Sequence, residues 1–187
     1  MKAPFDFVIE PKGSRYNNTT KVGTSELILN TEVYNHQFVN RQAIVKSVPT
    51  AFETEIQPKD EVIVHHNVFR RWHDVKGKER NSRSFFNETT YFVKEDQVYL
   101  YKRDGEEWKT PKGYCFVQPI KDRVYLGIDK EEACIGIVKH TDGSYKKGDL
   151  VGFTPFSTYE FIIDGKRLYR VMTKFITIKY EYQGNEE

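Results

Sequence analysis

Three histidines and an aspartate gather in one short stretch, His65, His66, His73 and Asp74. They are the nearest this sequence comes to a metal-ligand set. A zinc site needs about four donors converging on one point. Neighbouring residues on a strand point to opposite faces, so His65 and His66 are expected not to share an ion. The two cysteines, Cys115 and Cys134, have no C-x-x-C or zinc-type spacing. They read as free thiols of a reducing compartment, and one disulfide between them is also open. Cys134 and His140 do not make a convincing nucleophile and base, because Cys134 precedes a strand in an apolar stretch. There is no G-x-S-x-G, P-loop or Rossmann glycine pattern. The carboxylate pairs Glu106-Glu107 and Glu131-Glu132 read as solvated. The expectation is a protein that is not an enzyme and needs no cofactor or metal.

Two segments carry binding chemistry instead. The first is a polar run from Gly13 to Glu26 that ends in three adjacent aliphatics, Leu27, Ile28 and Leu29. A run rich in Gly, Ser, Asn and Thr buries too little apolar area to order by itself. The three aliphatics are either an ordinary strand or an anchor that orders on a partner. The second is His65–Glu88, where Arg, Trp and Phe interleave. From Asn67 to Glu88 there are six Lys/Arg and three acids, a local charge of +3. Such a segment can stack on bases and touch phosphates. It can equally be a solvated loop or a contact with a neighbouring subunit. The whole chain has 29 basic and 27 acidic residues, a net +2. That balance argues for neither a nucleic-acid nor a membrane partner, and neither is expected.

The elements that must position these segments are strands. No 3.6-residue apolar stripe of helical length occurs. Val62–Val64, Tyr91–Val93, Val98–Tyr101, Ile135–Val138 and Phe175–Tyr180 are short and rich in β-branched and aromatic residues. Turn residues separate them, and Asp164-Gly165 between Phe161–Ile163 and Leu168–Val171 predicts a hairpin. The strands also repeat. Phe7–Pro11 returns as Cys115–Pro119, Ala43–Lys46 as Gly136–Lys139, and Lys59–Val62 as Gly148–Val151. Val93, Val98 and Leu100 return as Val171, Ile176 and Ile178. A conserved order of four blocks implies two copies of one unit. The first copy holds about 15 extra residues before Val45 and about 11 between Val64 and Tyr91. The expected organisation is a first domain over residues 1–104, a polar linker over 105–112 and a second domain over 113–187. No signal peptide or apolar membrane span is read, so a soluble cytoplasmic protein is expected.

The order of these blocks resembles the small co-chaperonin (GroES-like) family. The second copy carries it best, through Tyr145-Lys146-Lys147-Gly148-Asp149-Leu150-Val151-Gly152-Phe153 and the stretch Tyr169–Tyr180. The first copy carries it through Pro58–Val64, without a glycine before Asp60. The resemblance implies an all-β chain of two tandem GroES-like β-barrels. It implies a mobile loop over about residues 13–30, whose aliphatic anchor Leu27, Ile28 and Leu29 binds a chaperonin ring. It implies ring self-association, sevenfold in the family, and unfolded client proteins as cargo. ATP chemistry would belong to the chaperonin. This sequence departs from the family at Glu26, where glycine commonly precedes the anchor, and in an inserted arm over about residues 66–90. Its second copy has only Ile120–Glu132 in place of the loop, with Val124 and Leu126–Ile128 as a weaker imitation of the anchor. One working loop per chain is therefore expected. The alternative is a structural or assembly protein, of a viral particle for example, that reuses the barrels without binding a chaperonin.

Overall fold

The computed structural model describes every residue except 17–18, 23–24, 29–38, 123–129 and 182–187. The described residues are all-β, joined by turns and three single-turn 3-10 segments. Among them, no helix is long and apolar enough to cross a membrane. The chain divides into two units, Met1–Glu107 and Trp108–Glu187. The division falls inside the polar stretch from Asp104 to Gly113.

The first unit contains β1 (Phe7–Pro11), β2 (Thr19–Val22), β3 (Ser25–Ile28), β4 (Gln42–Ser47), β5 (Glu61–Val64), β6 (Arg71–His73), β7 (Glu79–Asn81), β8 (Phe85–Asn87), β9 (Thr90–Val93) and β10 (Val98–Lys102). Six of these form one antiparallel sheet in the order β10-β5-β4-β1-β9-β8. The pairs β2–β3 and β6–β7 are separate hairpins. Strand period sets the core. Ala43 and Val45 of β4 turn inward while Lys46 faces solvent, and Tyr91 and Val93 of β9 are fully buried. They meet Phe7, Ile9, Val62 and Val64, and also Val68 and Phe69 from the expected arm.

The second unit contains β11 (Tyr114–Asp122), β12 (Lys130–Thr141), β13 (Leu150–Phe153), β14 (Thr158–Ile163), β15 (Lys166–Met172) and β16 (Ile176–Lys179). Its sheet runs β14-β15-β11-β12-β13-β16. Taken from the other end, this order matches the first sheet strand for strand. The registers match as well. Ile9 faces Val45 and Val117 faces Val138; Ala43 faces Val62 and Gly136 faces Val151; Phe7 faces Val93 and Cys115 faces Val171. These are the residues that repeat in the sequence. The 3-10 turns Glu95–Gln97 and Thr173–Phe175 lead into β10 and β16 at equivalent places. The carbonyl of Gln97 accepts from His65 N and that of Phe175 from Thr154 N, at 2.9 and 3.0 Å.

Closure into a barrel by hydrogen bonds is not seen among the described residues. β10 and β8 stay at the edges of one sheet, β14 and β16 at the edges of the other. β8 is three residues long, and its pairing with β9 already shifts register between Phe85 and Asn87. It offers little regular edge for a closing ladder.

Candidate functional site

The long connection from β1 to β4 is one of two features the second unit lacks, the other being the β6–β7 arm. Within it β2 and β3 form a hairpin, with Thr20 opposite Leu27 and Thr19 opposite Ile28. Leu27 and Ile28 thus lie on a strand, but not on a strand of the six-stranded sheet. β3 pairs with β2 alone among the described residues. Leu29, the third aliphatic, lies outside the described residues.

The two ends of the connection are tied together at a common base. Tyr16 and Val39 form a β-bridge, and Asn40 N donates to the Arg15 carbonyl at 2.9 Å. The buried Asn40 amide donates to the carbonyls of Lys12 (3.0 Å) and Ser14 (2.8 Å), and its oxygen accepts from Gln42 N at 2.9 Å. One short side chain therefore ties the outgoing strand to the returning one.

Arg15 is buried beside it and needs partners for its charge. Its guanidinium donates twice to the Phe69 carbonyl, at 3.1 and 3.3 Å. It also lies over the rings of Phe85 and Tyr91, 5.1 and 5.6 Å from their centres, and 3.6 Å from the Glu88 carboxylate. Burial pushes the Tyr91 hydroxyl up to about 12, with Arg15 pulling the other way. The Tyr16 hydroxyl accepts from Arg71 N at 2.8 Å, and the Arg71 guanidinium lies over the Tyr16 ring. Every one of these contacts to Phe69, Arg71, Phe85 and Glu88 comes from the expected arm. The arm is the clamp on the loop's base.

Gly13 to Tyr16, the first residues of the expected loop, belong to this base. Sequence reading missed Arg15, Tyr16 and Asn40. The one available signal was Tyr16, an aromatic in an otherwise polar run.

The arm itself is partly core. Val68 and Phe69 are fully buried, and the part that stands apart is the β6–β7 hairpin. Its turn is built on Asp74, which accepts from the N–H groups of Lys76 and Lys78 and pairs with Arg80 at 2.9 Å. The Lys78 N–H, then that of Lys76 and the Arg80 guanidinium, hold the Asp74 carboxyl below its ordinary range against a smaller opposing effect of burial.

The strand geometry expected at His65 and His66 is corrected. β5 ends at Val64, and His65 caps the 3-10 turn His66–Val68 through its Nδ1. Strand alternation does not apply there, and the two rings stack with centres 4.2 Å apart. Among the described residues no three His, Cys, Asp or Glu side chains gather as a metal set.

In the second unit β11 and β12 run on together to Lys121–Glu131 and Asp122–Lys130. Val124 and residues 126–128 lie outside the described residues. Cys115 and Cys134 are free thiols, the first buried and the second half-buried. Burial, with a smaller effect of the Asp142 charge, pushes the Cys115 thiol up to about 12. His140 Nδ1 lies 3.1 Å from the Trp108 carbonyl. Comparison with known protein families and with curated proteins finds no match for this chain.

Proposed function

We propose that this chain is a co-chaperonin: two GroES-like barrel units, of which the first caps a chaperonin ring through its β1–β4 connection. The observation that carries the reading is this connection. It is the longer of two insertions that the first unit adds to a strand plan otherwise repeated in both units, it carries Leu27-Ile28-Leu29, and its base is fixed by Arg15, Tyr16 and Asn40. A connection tied at its base and carrying adjacent aliphatics suits a segment that inserts into an apolar groove. Burying each aliphatic side chain stabilises by about 1.5–3 kcal/mol. Ordering the segment offsets part of that, which keeps one loop weak and reversible. Several loops in one ring, sevenfold in the family, restore affinity through avidity. The chaperonin supplies the ATP chemistry and the chamber in which a client folds.

The test is hydrogen exchange of the Thr19–Ile28 peptide with and without a chaperonin ring and ATP. Capping predicts slower exchange there when the ring is present. Unchanged exchange with every ring tried would favour the alternative, a structural or assembly protein that reuses the same units.

A further inference from the structure

The charges of the arm are not evenly matched. Arg71 pairs with Glu79 at 3.2 Å, Arg80 with Asp74 at 2.9 Å, and Glu88 lies 3.6 Å from Arg15. Every carboxylate from Asn67 to Glu88 is thereby engaged. Arg70 and Arg83 have no ion-pair or hydrogen-bond partner among the described residues, and the buried Arg70 Nε–H is an orphaned donor. Both arginines line one open pocket of about 580 Å³. Trp72, His73, Ser82 and Ser84 line it with them, and no carboxylate does.

Two guanidinium groups in one pocket favour an anion with several oxygens, and their planar forks match phosphate. Trp72 is 37% exposed, so part of its ring is open to a flat partner, and aromatic rings stack on any base. The volume falls within the range of about 300–1,000 Å³ usual for small-molecule sites. We propose that this pocket binds a nucleoside phosphate, with its phosphate on Arg70 and Arg83 and its base on Trp72. The same chemistry could come from a free nucleotide or from one residue of a single strand. The proposal does not rest on the co-chaperonin reading.

The test titrates the full-length protein with AMP, ATP, adenosine, inorganic phosphate and oligo(dT). Binding is followed by calorimetry and by tryptophan fluorescence. The only other tryptophan, Trp108, is buried and bonded to Asp164 at 2.9 Å, so Trp72 carries the ligand response. AMP is expected to bind saturably and to quench, at least tenfold tighter than adenosine or inorganic phosphate. Arg70→Gln/Arg83→Gln should weaken it about tenfold or more with an unchanged circular dichroism spectrum. Trp72→Phe should abolish the quench and weaken the calorimetric signal. Oligo(dT) binding tighter than AMP, with a steep salt dependence, would identify the source as a strand; AMP or ATP binding tighter would identify a free nucleotide. The proposal is overturned by no saturable binding of AMP, ATP or oligo(dT) at about 10 mM. Phosphate binding as tightly as AMP, or the folded arginine double variant binding like wild type, would overturn it equally.

Discussion

Lys179 Nζ lies 2.7 Å from Asp149 Oδ2, and that carboxylate is completely buried while the lysine is half exposed. The same carboxylate also accepts from Lys146 N at 2.9 Å, closing the turn into β13. In the first unit Asp60 holds the equivalent place. Its Oδ2 accepts from Gln57 N at 2.8 Å and its Oδ1 lies 3.2 Å from Arg103 Nε. The repeated unit therefore keeps a buried aspartate in this turn, while the cation that answers it comes from a different position in each copy.

Asp149→Ala should destabilise the second unit by about 2 kcal/mol, because it strands the Lys146 N–H and removes the partner of Lys179. Lys179→Met should also destabilise, since it takes away the ammonium that pairs with the buried carboxylate. Urea unfolding of the two variants beside wild type measures both. A Lys179→Met variant more stable than wild type would show that burial cost outweighs the pair.

Acid should weaken the same turn. Burial alone would raise the Asp149 carboxyl, but the Lys179 ammonium and the Lys146 N–H outweigh it and hold it below the ordinary carboxylate range. A depressed folded-state value gives stability that is complete above the unfolded value and is lost as pH falls through the folded one. The stability difference between wild type and Asp149→Asn should therefore be constant from about pH 7 to 5. It should shrink below about pH 4, as equilibrium unfolding at stepped pH would show.

Gly136 should not tolerate a side chain. A Cβ there would stand 2.8 Å from the Gln118 carbonyl oxygen and 3.2 Å from Val117 Cβ, and the first of these is backbone on the paired strand. Gly136→Ala is expected to cost about 1–3 kcal/mol. The equivalent residue of the first unit is already an alanine, Ala43, fully buried, so the close approach belongs to the second unit alone. A thermal melt unchanged by the substitution would contradict it.

The two thiols should separate cleanly in a labelling experiment. Cys115 is fully buried and its thiol is pushed up to about 12, whereas Cys134 is half-buried. The thiolate is the nucleophile. Iodoacetamide at pH 8 is expected to modify Cys134 first, and Cys115 only after urea is added. Equal rates for the two in the native protein, read by peptide mass, would be the contrary result.

Much of this architecture was legible because the chain states it twice. Ile9 with Val45 and Val117 with Val138 repeat at the same relative spacing, and they emerge as equivalent cross-strand pairs. Asp164-Gly165 gave its hairpin directly, since both residues take the positive φ that a two-residue turn requires, 50° and 75°. The turn before Asp60 was harder. Lys59 adopts a φ of 78° where the second unit has Gly148 at 92°, so the repeat located the turn but the lysine gave no sign of its left-handed backbone. The base of the long connection was invisible for another reason. Arg15 meets Phe69 across 54 residues, and no local pattern encodes such a contact. Val68 and Phe69 looked like part of a polar insertion, and only tertiary packing reveals them as core. The stacked histidines were misread because the strand stops one residue before them.

The most direct measurement is co-sedimentation with a chaperonin ring and ATP, for wild type beside a Leu27→Ser/Ile28→Ser/Leu29→Ser variant. A capping protein anchored by these residues should pellet with the ring as wild type and stay in the supernatant as the variant, with unchanged circular dichroism. Equal binding of both would move the anchor elsewhere in the chain. Failure of wild type to bind any ring tested would contradict the co-chaperonin function itself.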